Sequence, residues 1–120
     1  MKKMNVHTRA DSISAGLPRD RNKALAAVRE TGGAFVAVSD HEILDAIPII
    51  AQHTGVFCEP AAAAAYAGLE KMVQGGEIDF DERIVILLTG SGLKDVASAM
   101  TVVEEPPVIE PTLTAVKAVL

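Results

Sequence analysis

Residues 82–95 of the chain read ERIVILLTGSGLKD, and this stretch decides the fold that we predict. The apolar residues 84–88 follow one another without any alternation with polar positions. Such an unbroken β-branched and leucine run is typical of a strand that is buried on both faces of a parallel sheet. Gly90 and Gly92 then allow the backbone to turn sharply or to approach a ligand closely. Because ligands bind outside the carboxyl ends of strands in open α/β sheets, Thr89 and its loop are the first candidate site.

Residues 34–38 (AFVAV) are predicted to form a second strand, and helical patterns surround both strands. Ser39 and Glu42 have the spacing of a capping box, which predicts that a helix begins there. Pro48 lies inside this helix and is expected to kink it, and Gly55 is expected to end it. Further helices are predicted over residues 22–31, 61–74 and 111–120, with a helical turn within 93–100 and an extended linker over 101–110. We therefore predict an α/β fold: one domain over residues 1–120, with a partial, mostly parallel sheet flanked by helices.

The composition restricts the classes of protein to which the chain can belong. With 120 residues, of which 49% are hydrophobic and 22% charged, it is expected to fold around one core. The formal net charge of −5 argues against nucleic acid or an anionic membrane as a partner. No apolar run is long enough to span a bilayer, and no secretory signal is recognisable. The single cysteine, Cys58, cannot form an internal disulfide, so we expect a reducing, cytoplasmic compartment.

No self-contained catalytic or metal-binding set stands out in the sequence. His7, His41 and His53 have no metal-ligand spacing with one another or with Cys58, so we expect no metal site. The Thr-Gly-Ser-Gly turn is neither a P-loop nor a complete dinucleotide fingerprint. Cys58 is expected to be a small buried hydrophobic residue. The residues alone leave two roles open for Thr89, a local bond at the end of a strand or a contact with a ligand.

Several motifs taken together resemble one family. They read, in chain order, ADSI (10–13), GLPR (16–19), GGAFVAVSD (32–40), EPAAAA (59–64) and LTGSGLKD (88–95). The set is similar to the carboxyl-terminal section of threonine synthase, a pyridoxal-phosphate enzyme of the tryptophan-synthase-β-like fold type II. LTGSGLKD is the most specific of these segments, whereas the EPA segment recurs across the whole superfamily.

The resemblance implies cofactor-binding roles for five residues. In such enzymes, the hydroxyl that matches Thr89 contacts the pyridine nitrogen, to which a neutral hydroxyl can donate one hydrogen bond. Gly90 and Ser91 would shape the turn beside the ring. Glu59 would lie near the ring, or would simply place its charge at the positive end of a helix. Ser12 would help to line the pocket, or would cap a loop.

The resemblance also implies what these 120 residues do not carry. In the family, the Schiff-base lysine and the glycine-rich loop for the cofactor phosphate precede the matching motifs, and neither has a counterpart here. Lys94 belongs to a different, downstream motif and is expected to be a solvated loop charge. The complete enzyme would convert O-phosphohomoserine to threonine. We expect no catalytic residue in this chain, and neither activity nor bound cofactor when it is alone.

Three interpretations of the chain stay open at this point. The chain is a piece of a threonine-synthase-like enzyme that pairs with an upstream enzyme half. Alternatively, it is a non-catalytic small α/β module that binds a ligand or a partner. In the third interpretation it folds only by self-association, because a partial sheet leaves open edges and uncovered faces.

Overall fold

The structure of the protein is a computed structural model that describes residues 2–119. Within these residues, the α-helices are α1 (Arg21–Thr31), α2 (Asp40–Thr54), α3 (Pro60–Gln74), α4 (Val96–Ala99) and α5 (Leu113–Lys117). Two 3-10 turns occupy Asp11–Ile13 and Gly92–Lys94. The long helices α2 and α3 pack against each other, α4 packs on α2, and the Asp11–Ile13 turn packs on α3. This arrangement places two distant segments of the chain, α4 and the Asp11–Ile13 turn, beside the α2–α3 pair.

The predicted parallel sheet is wrong for this chain. Between residues 2 and 119 no strand forms, and β-type pairing is confined to an isolated antiparallel bridge between Cys58 and Ser91. In the described structure, residues 34–38 and 84–88 make no backbone-to-backbone hydrogen bond. A strand exists only through hydrogen bonds to a neighbouring strand, and the composition of an apolar run does not supply that neighbour. The sequence pattern therefore identified two runs that are suited to form strands, but it could not show that neither run has a neighbouring strand in the described part of the chain.

The two apolar runs keep an alternating pattern of exposure. Val36 and Ile86 are partly buried, whereas Phe35, Val85 and Leu87 are 67%, 85% and 72% exposed. A period of two is that of an extended chain, in which successive side chains point to opposite sides. One side of each run thus packs on the helices, and the other side is left uncovered.

The three longest predicted helices are confirmed, and α2 begins with the predicted capping box. The Ser39 hydroxyl accepts a hydrogen bond from the Glu42 N–H at 3.2 Å, and the Ser39 N–H donates to Glu42 Oε2 at 2.6 Å. The helix continues through Pro48 and ends at Gly55, whose φ of 73° lies in the left-handed region that favours glycine. Local signals for starting and ending a helix were therefore sufficient here.

The capping carboxylate makes the stability of α2 depend on pH. Hydrogen bonds from Ser39, and then from Lys71, lower the pKa of Glu42 to about 2 from an ordinary value of 4.5. Because the pKa is lower in the folded chain, the ionised carboxylate stabilises the fold above pH 4.5, and this contribution disappears as the pH falls towards 2. We expect Glu42→Gln to be less stable than the unsubstituted chain at pH 7 and equally stable near pH 2. Urea unfolding at a series of pH values measures this difference, and a difference that does not vary with pH would contradict the expectation.

The core between α2 and α3 is built from small aliphatic side chains. Ile43, Ile47 and Ile50 of α2 are each 3% exposed, and they face buried alanines of α3. The alanines that are buried on α3 are Ala62, Ala63 and Ala67. Because alanine has almost no side-chain bulk, the two helices can approach closely. Cys58 is 1% exposed and belongs to the same core, as predicted, and burial raises the pKa of its thiol.

The region after α4 carries little regular structure. Residues 101–110 contain no helix, and α5 is capped by the Thr112 hydroxyl, which accepts from the Ala115 N–H at 3.2 Å. The helix predicted over 111–120 corresponds to Leu113–Lys117, although its final residue, Leu120, lies outside the described residues. None of the helices between residues 2 and 119 has the length and hydrophobicity needed to cross a membrane.

Candidate functional site

Two backbone hydrogen bonds join the Thr-Gly-Ser-Gly turn to the segment before α3. The Glu59 N–H donates to the Gly90 carbonyl at 3.0 Å, and the Gly92 N–H donates to the Phe57 carbonyl at 3.0 Å. The bridge between Cys58 and Ser91 lies between these two bonds. The turn that follows residues 84–88 is therefore fixed beside the amino terminus of α3.

Gly90 and Gly92 are required by the space around them and not by an unusual backbone angle. Neither has a positive φ. A Cβ atom at Gly90 would overlap the Glu59 carboxylate, and one at Gly92 would overlap the Phe57 ring. The predicted close approach at these glycines is thus made by two side chains of the protein itself.

Glu59 is the buried charged group at the centre of this site. Only 6% of the residue is exposed. Its Oε2 atom accepts a hydrogen bond from the Ser12 hydroxyl at 3.0 Å and lies 2.8 Å from Lys94 Nζ in an ion pair. The hydrogen bond from Lys94 contributes most to lowering the pKa of Glu59, and burial opposes it. The carboxylate is consequently ionised at neutral pH although it is buried.

A cavity of about 220 Å³ opens beside this carboxylate. Its lining includes two basic side chains, Arg9 and Lys94, and two further acidic ones, Asp11 and Asp95. Asp95 already accepts a hydrogen bond from the Ser98 N–H at 3.1 Å, which caps α4. Hydrogen bonding to the side chain of Ser98, and then to its backbone, lowers the pKa of Asp95. The cavity has the size and the mixed charge to admit a small polar group.

The structure gathers four of the five predicted site residues around the start of α3. Ser12, Glu59, Gly90 and Ser91 are linked by the contacts described above, and the Ser91 hydroxyl also accepts from the Leu93 N–H at 3.3 Å. Thr89 precedes them directly in the chain, but it is exposed and does not line the cavity. In the described chain, no group of three or more His, Cys, Asp or Glu side chains is arranged to hold a metal ion.

Sequence reasoning missed the role of Lys94. We predicted a solvated loop charge, and 57% of its side chain is indeed exposed, but its ammonium group contacts the buried Glu59. Arg9 and Asp11, which line the cavity, were not predicted either. The signal that was available is their position, since all three lie within or beside motifs that also contain predicted site residues.

Comparison with known proteins gives the class to which this chain belongs. A family model described as "Pyridoxal-phosphate dependent enzyme" matches residues 1–90, and the chain belongs to that family. Among curated proteins, the threonine synthase of Methanocaldococcus jannaschii is 44% identical over 116 residues, which cover 97% of this chain and 29% of that enzyme. The threonine synthase of Methanosarcina acetivorans is 42% identical over 113 residues, which cover 94% of this chain and 28% of that enzyme.

A third relative agrees with these two. The threonine synthase of Synechocystis sp. is 49% identical over 88 residues, which cover 73% of this chain and 22% of that enzyme. The resemblance to threonine synthase that we predicted is therefore confirmed. The chain spans less than a third of the length of each of these relatives.

The side chain of Thr89 has the chemistry of a hydrogen-bond donor to the ring nitrogen of pyridoxal phosphate. The hydroxyl of Thr89 is neutral and exposed, and a neutral hydroxyl can donate a hydrogen bond to an unprotonated pyridine nitrogen. Glu59, the nearest buried carboxylate, is already paired with Lys94 and Ser12. The side-chain chemistry of the turn is thus compatible with the cofactor that the family is named for.

Proposed function

We propose that this chain forms part of the cofactor-binding region of a threonine-synthase-like enzyme. In the complete enzyme, the reaction would convert O-phosphohomoserine to threonine. The observation that carries the proposal is the convergence of Ser12, Glu59 and Gly90 on one site directly beside Thr89. These residues come from three motifs that are far apart in the sequence, and the similarity to threonine synthases extends over nearly the whole chain.

Each residue of the site has a role in this proposal. The Thr89 hydroxyl would donate a hydrogen bond to the ring nitrogen, while Gly90 and Ser91 would shape the turn beside the ring. Glu59, held by Ser12, would keep that turn in place. When bound, the cofactor supplies an electron sink, and a neutral hydroxyl partner makes that sink a mild one, suited to elimination and replacement at the β or γ carbon.

We further propose that the 120 residues neither hold the cofactor nor catalyse the reaction by themselves. Less than a third of the length of the relatives is represented, and the expected Schiff-base lysine and phosphate loop are not among these residues. We expect no phosphate release when the isolated chain is incubated with pyridoxal phosphate and O-phosphohomoserine. Phosphate release above a protein-free control, together with a new absorbance band of bound cofactor, would contradict this expectation.

The partner in this proposal is the remaining polypeptide of the enzyme. On this chain, the surface that would contact the partner is an apolar groove of about 470 Å³. The groove lies between Val36 and residues 84–87, and Gly68 and Met72 of α3 are part of its lining. The backbone groups of residues 34–38 and 84–88 on its two sides are not paired with other backbone groups. An extended apolar segment would fill the groove and hydrogen-bond to these groups.

The dimensions of the chain also support a partner. Its radius of gyration is 18.2 Å, whereas a compact domain of this length has a radius of gyration of about 14 Å. The exposed side chains of Phe35, Val85 and Leu87 add uncovered apolar surface on the same two runs.

The proposed compartment of the enzyme is the cytoplasm. The single cysteine, Cys58, is buried and free, so nothing in the proposal requires an oxidising compartment.

Co-expression tests the partner. The probe is the threonine synthase of Methanocaldococcus jannaschii without the 116 residues that match this chain. We expect the two polypeptides to copurify, and the amides of residues 34–38 and 84–88 to be protected from hydrogen exchange only in the complex.

Two matched variants make this test specific to the groove. Leu87→Asp is expected to abolish copurification, because it places a charge in the groove, whereas Leu113→Asp is expected to leave it intact. Leu87 and Leu113 are 72% and 71% exposed, so the substitutions differ in location and not in exposure. Protection of the same amides in the isolated chain, together with a dimeric mass, would instead assign the groove to a second copy and would refute the proposal.

A further inference from the structure

The Glu59 carboxylate is a buried charge that is held by two other side chains. A buried carboxylate is costly unless it is paired and hydrogen-bonded. Both partners come from segments distant in sequence: Ser12 from the turn at Asp11–Ile13, and Lys94 from the turn at Gly92–Lys94. The two contacts converge on the same oxygen atom, Oε2.

The other carboxylate oxygen faces the functional turn. Oε1 of Glu59 is the atom that a Cβ at Gly90 would meet first, so it packs directly against the Gly90 backbone. The main chain of Glu59 also donates to the Gly90 carbonyl at 3.0 Å. Glu59 therefore contacts Gly90 through its main chain and its side chain, and Thr89 is the residue immediately before.

Lys94 is the charged side chain that stabilises the Glu59 carboxylate. Among the other charged side chains that line the cavity, Asp11 and Asp95 are acidic and repel the carboxylate. Arg9 is the remaining basic group, but the ion pair that the structure forms with Glu59 is made by Lys94 at 2.8 Å. Lys94 itself keeps 57% of its side chain in solvent, so its charge costs little to maintain.

We propose that Lys94 is a positioning residue: with Ser12 it holds the Glu59 carboxylate against Gly90, and so fixes the turn that presents Thr89. The contacts among these residues do not depend on the proposed function. Their importance for binding the cofactor does rest on it. Glu59 then acts through Gly90 and not by touching the cofactor ring.

The test uses nuclear magnetic resonance of the 120-residue chain without cofactor. The amide resonances of Thr89 and Gly90 and the carboxyl titration of Glu59 are followed in the unsubstituted chain, in Lys94→Met and in Lys94→Arg. We expect Lys94→Met to move both amide resonances and to raise the titration midpoint of Glu59, because the cation that favours the ionised form is lost. Lys94→Arg is expected to restore both, since a guanidinium can also pair with a carboxylate.

Two further variants make the result decisive. Lys117→Met removes a lysine of α5, which is not in the site, and is expected to change neither readout. Ser12→Ala is expected to shift the amide resonances and the titration midpoint of Glu59 in the same direction as Lys94→Met, but by less. If Lys94→Met does not fold, Ser12→Ala serves as the test of the proposal. Unchanged Thr89 and Gly90 resonances in Lys94→Met or, if that variant does not fold, in Ser12→Ala would overturn the proposal. If the resonances shift as expected but the co-expressed complex binds no pyridoxal phosphate, the proposed function fails and the positioning role stands.

Discussion

Replacing Ile47 by alanine is expected to destabilise the chain by about 2–5 kcal/mol, which is the usual cost of removing a large aliphatic side chain from a packed core. Ile47 is 3% exposed and lies in the core between α2 and α3. The neighbouring alanines of α3 are too small to fill the cavity that the substitution would leave. Urea or thermal unfolding of the isolated chain measures the loss.

A matched substitution separates core packing from a general effect of losing an isoleucine. Ile13 is 57% exposed, and Ile13→Ala is expected to cost less than about 0.5 kcal/mol, as exposed substitutions usually do. Equal losses in the two variants would mean that the α2–α3 pair does not form the core in solution. The loss in Ile47→Ala would also be accompanied by faster hydrogen exchange in both helices.

Replacing Gly90 by alanine is expected to have the largest effect at the site. The new Cβ would overlap the carboxylate group and the Cγ atom of Glu59, so the whole side chain must turn away. That movement breaks the contacts of a buried carboxylate with Lys94 and Ser12. We expect a destabilisation of about 1–3 kcal/mol, as for other substitutions that overpack a site.

The control for this variant is the same substitution at a different glycine. Gly68 lies within α3, and a Cβ there would make an ordinary contact with Val36 at 3.9 Å. Because alanine is the better helix former, Gly68→Ala is expected to stabilise the chain by about 0.5–1 kcal/mol. The two variants should therefore differ in sign when their free energies of unfolding are compared, and a stabilised Gly90→Ala would show that Glu59 does not pack against the turn.

The helices were predictable because their signals are local. Ser39 and Glu42 form the capping box that their spacing indicated, and Gly55 ends α2 in the left-handed conformation. Proline at the first position of α3 likewise marked its start. Each of these signals involves residues within four positions of one another, so one stretch of sequence contains all the information that the helix terminus needs.

The strands were not predictable, because a strand depends on residues elsewhere. Residues 34–38 and 84–88 have the composition of buried strands, and their exposure alternates with a period of two. Their hydrogen-bonding partners, however, are not present among the described residues of this chain. Apolar composition reports that a run is suited to pairing, not that a partner is available.

The candidate site was predictable only as far as its motifs are. The EPA segment and the TGSG turn pointed to Glu59, Gly90 and Ser91, and the backbone bonds between these segments bring them together. The position of Lys94 within a predicted motif did not reveal its ion pair with Glu59, because the residues around each of the two do not specify which distant charge it contacts. Long-range pairing of this kind is set by the way in which α3 and the Gly92–Lys94 turn pack.

The most direct measurement of the central claim is the absorbance spectrum of the complex between this chain and the remaining threonine synthase polypeptide, after pyridoxal phosphate is added and the excess removed. The account predicts retained cofactor with a shifted absorbance band, and a further change of that band in Thr89→Val, which keeps the shape of the side chain but removes the hydroxyl. A complex that forms and yet retains no cofactor, or a spectrum that Thr89→Val leaves unchanged, would contradict it.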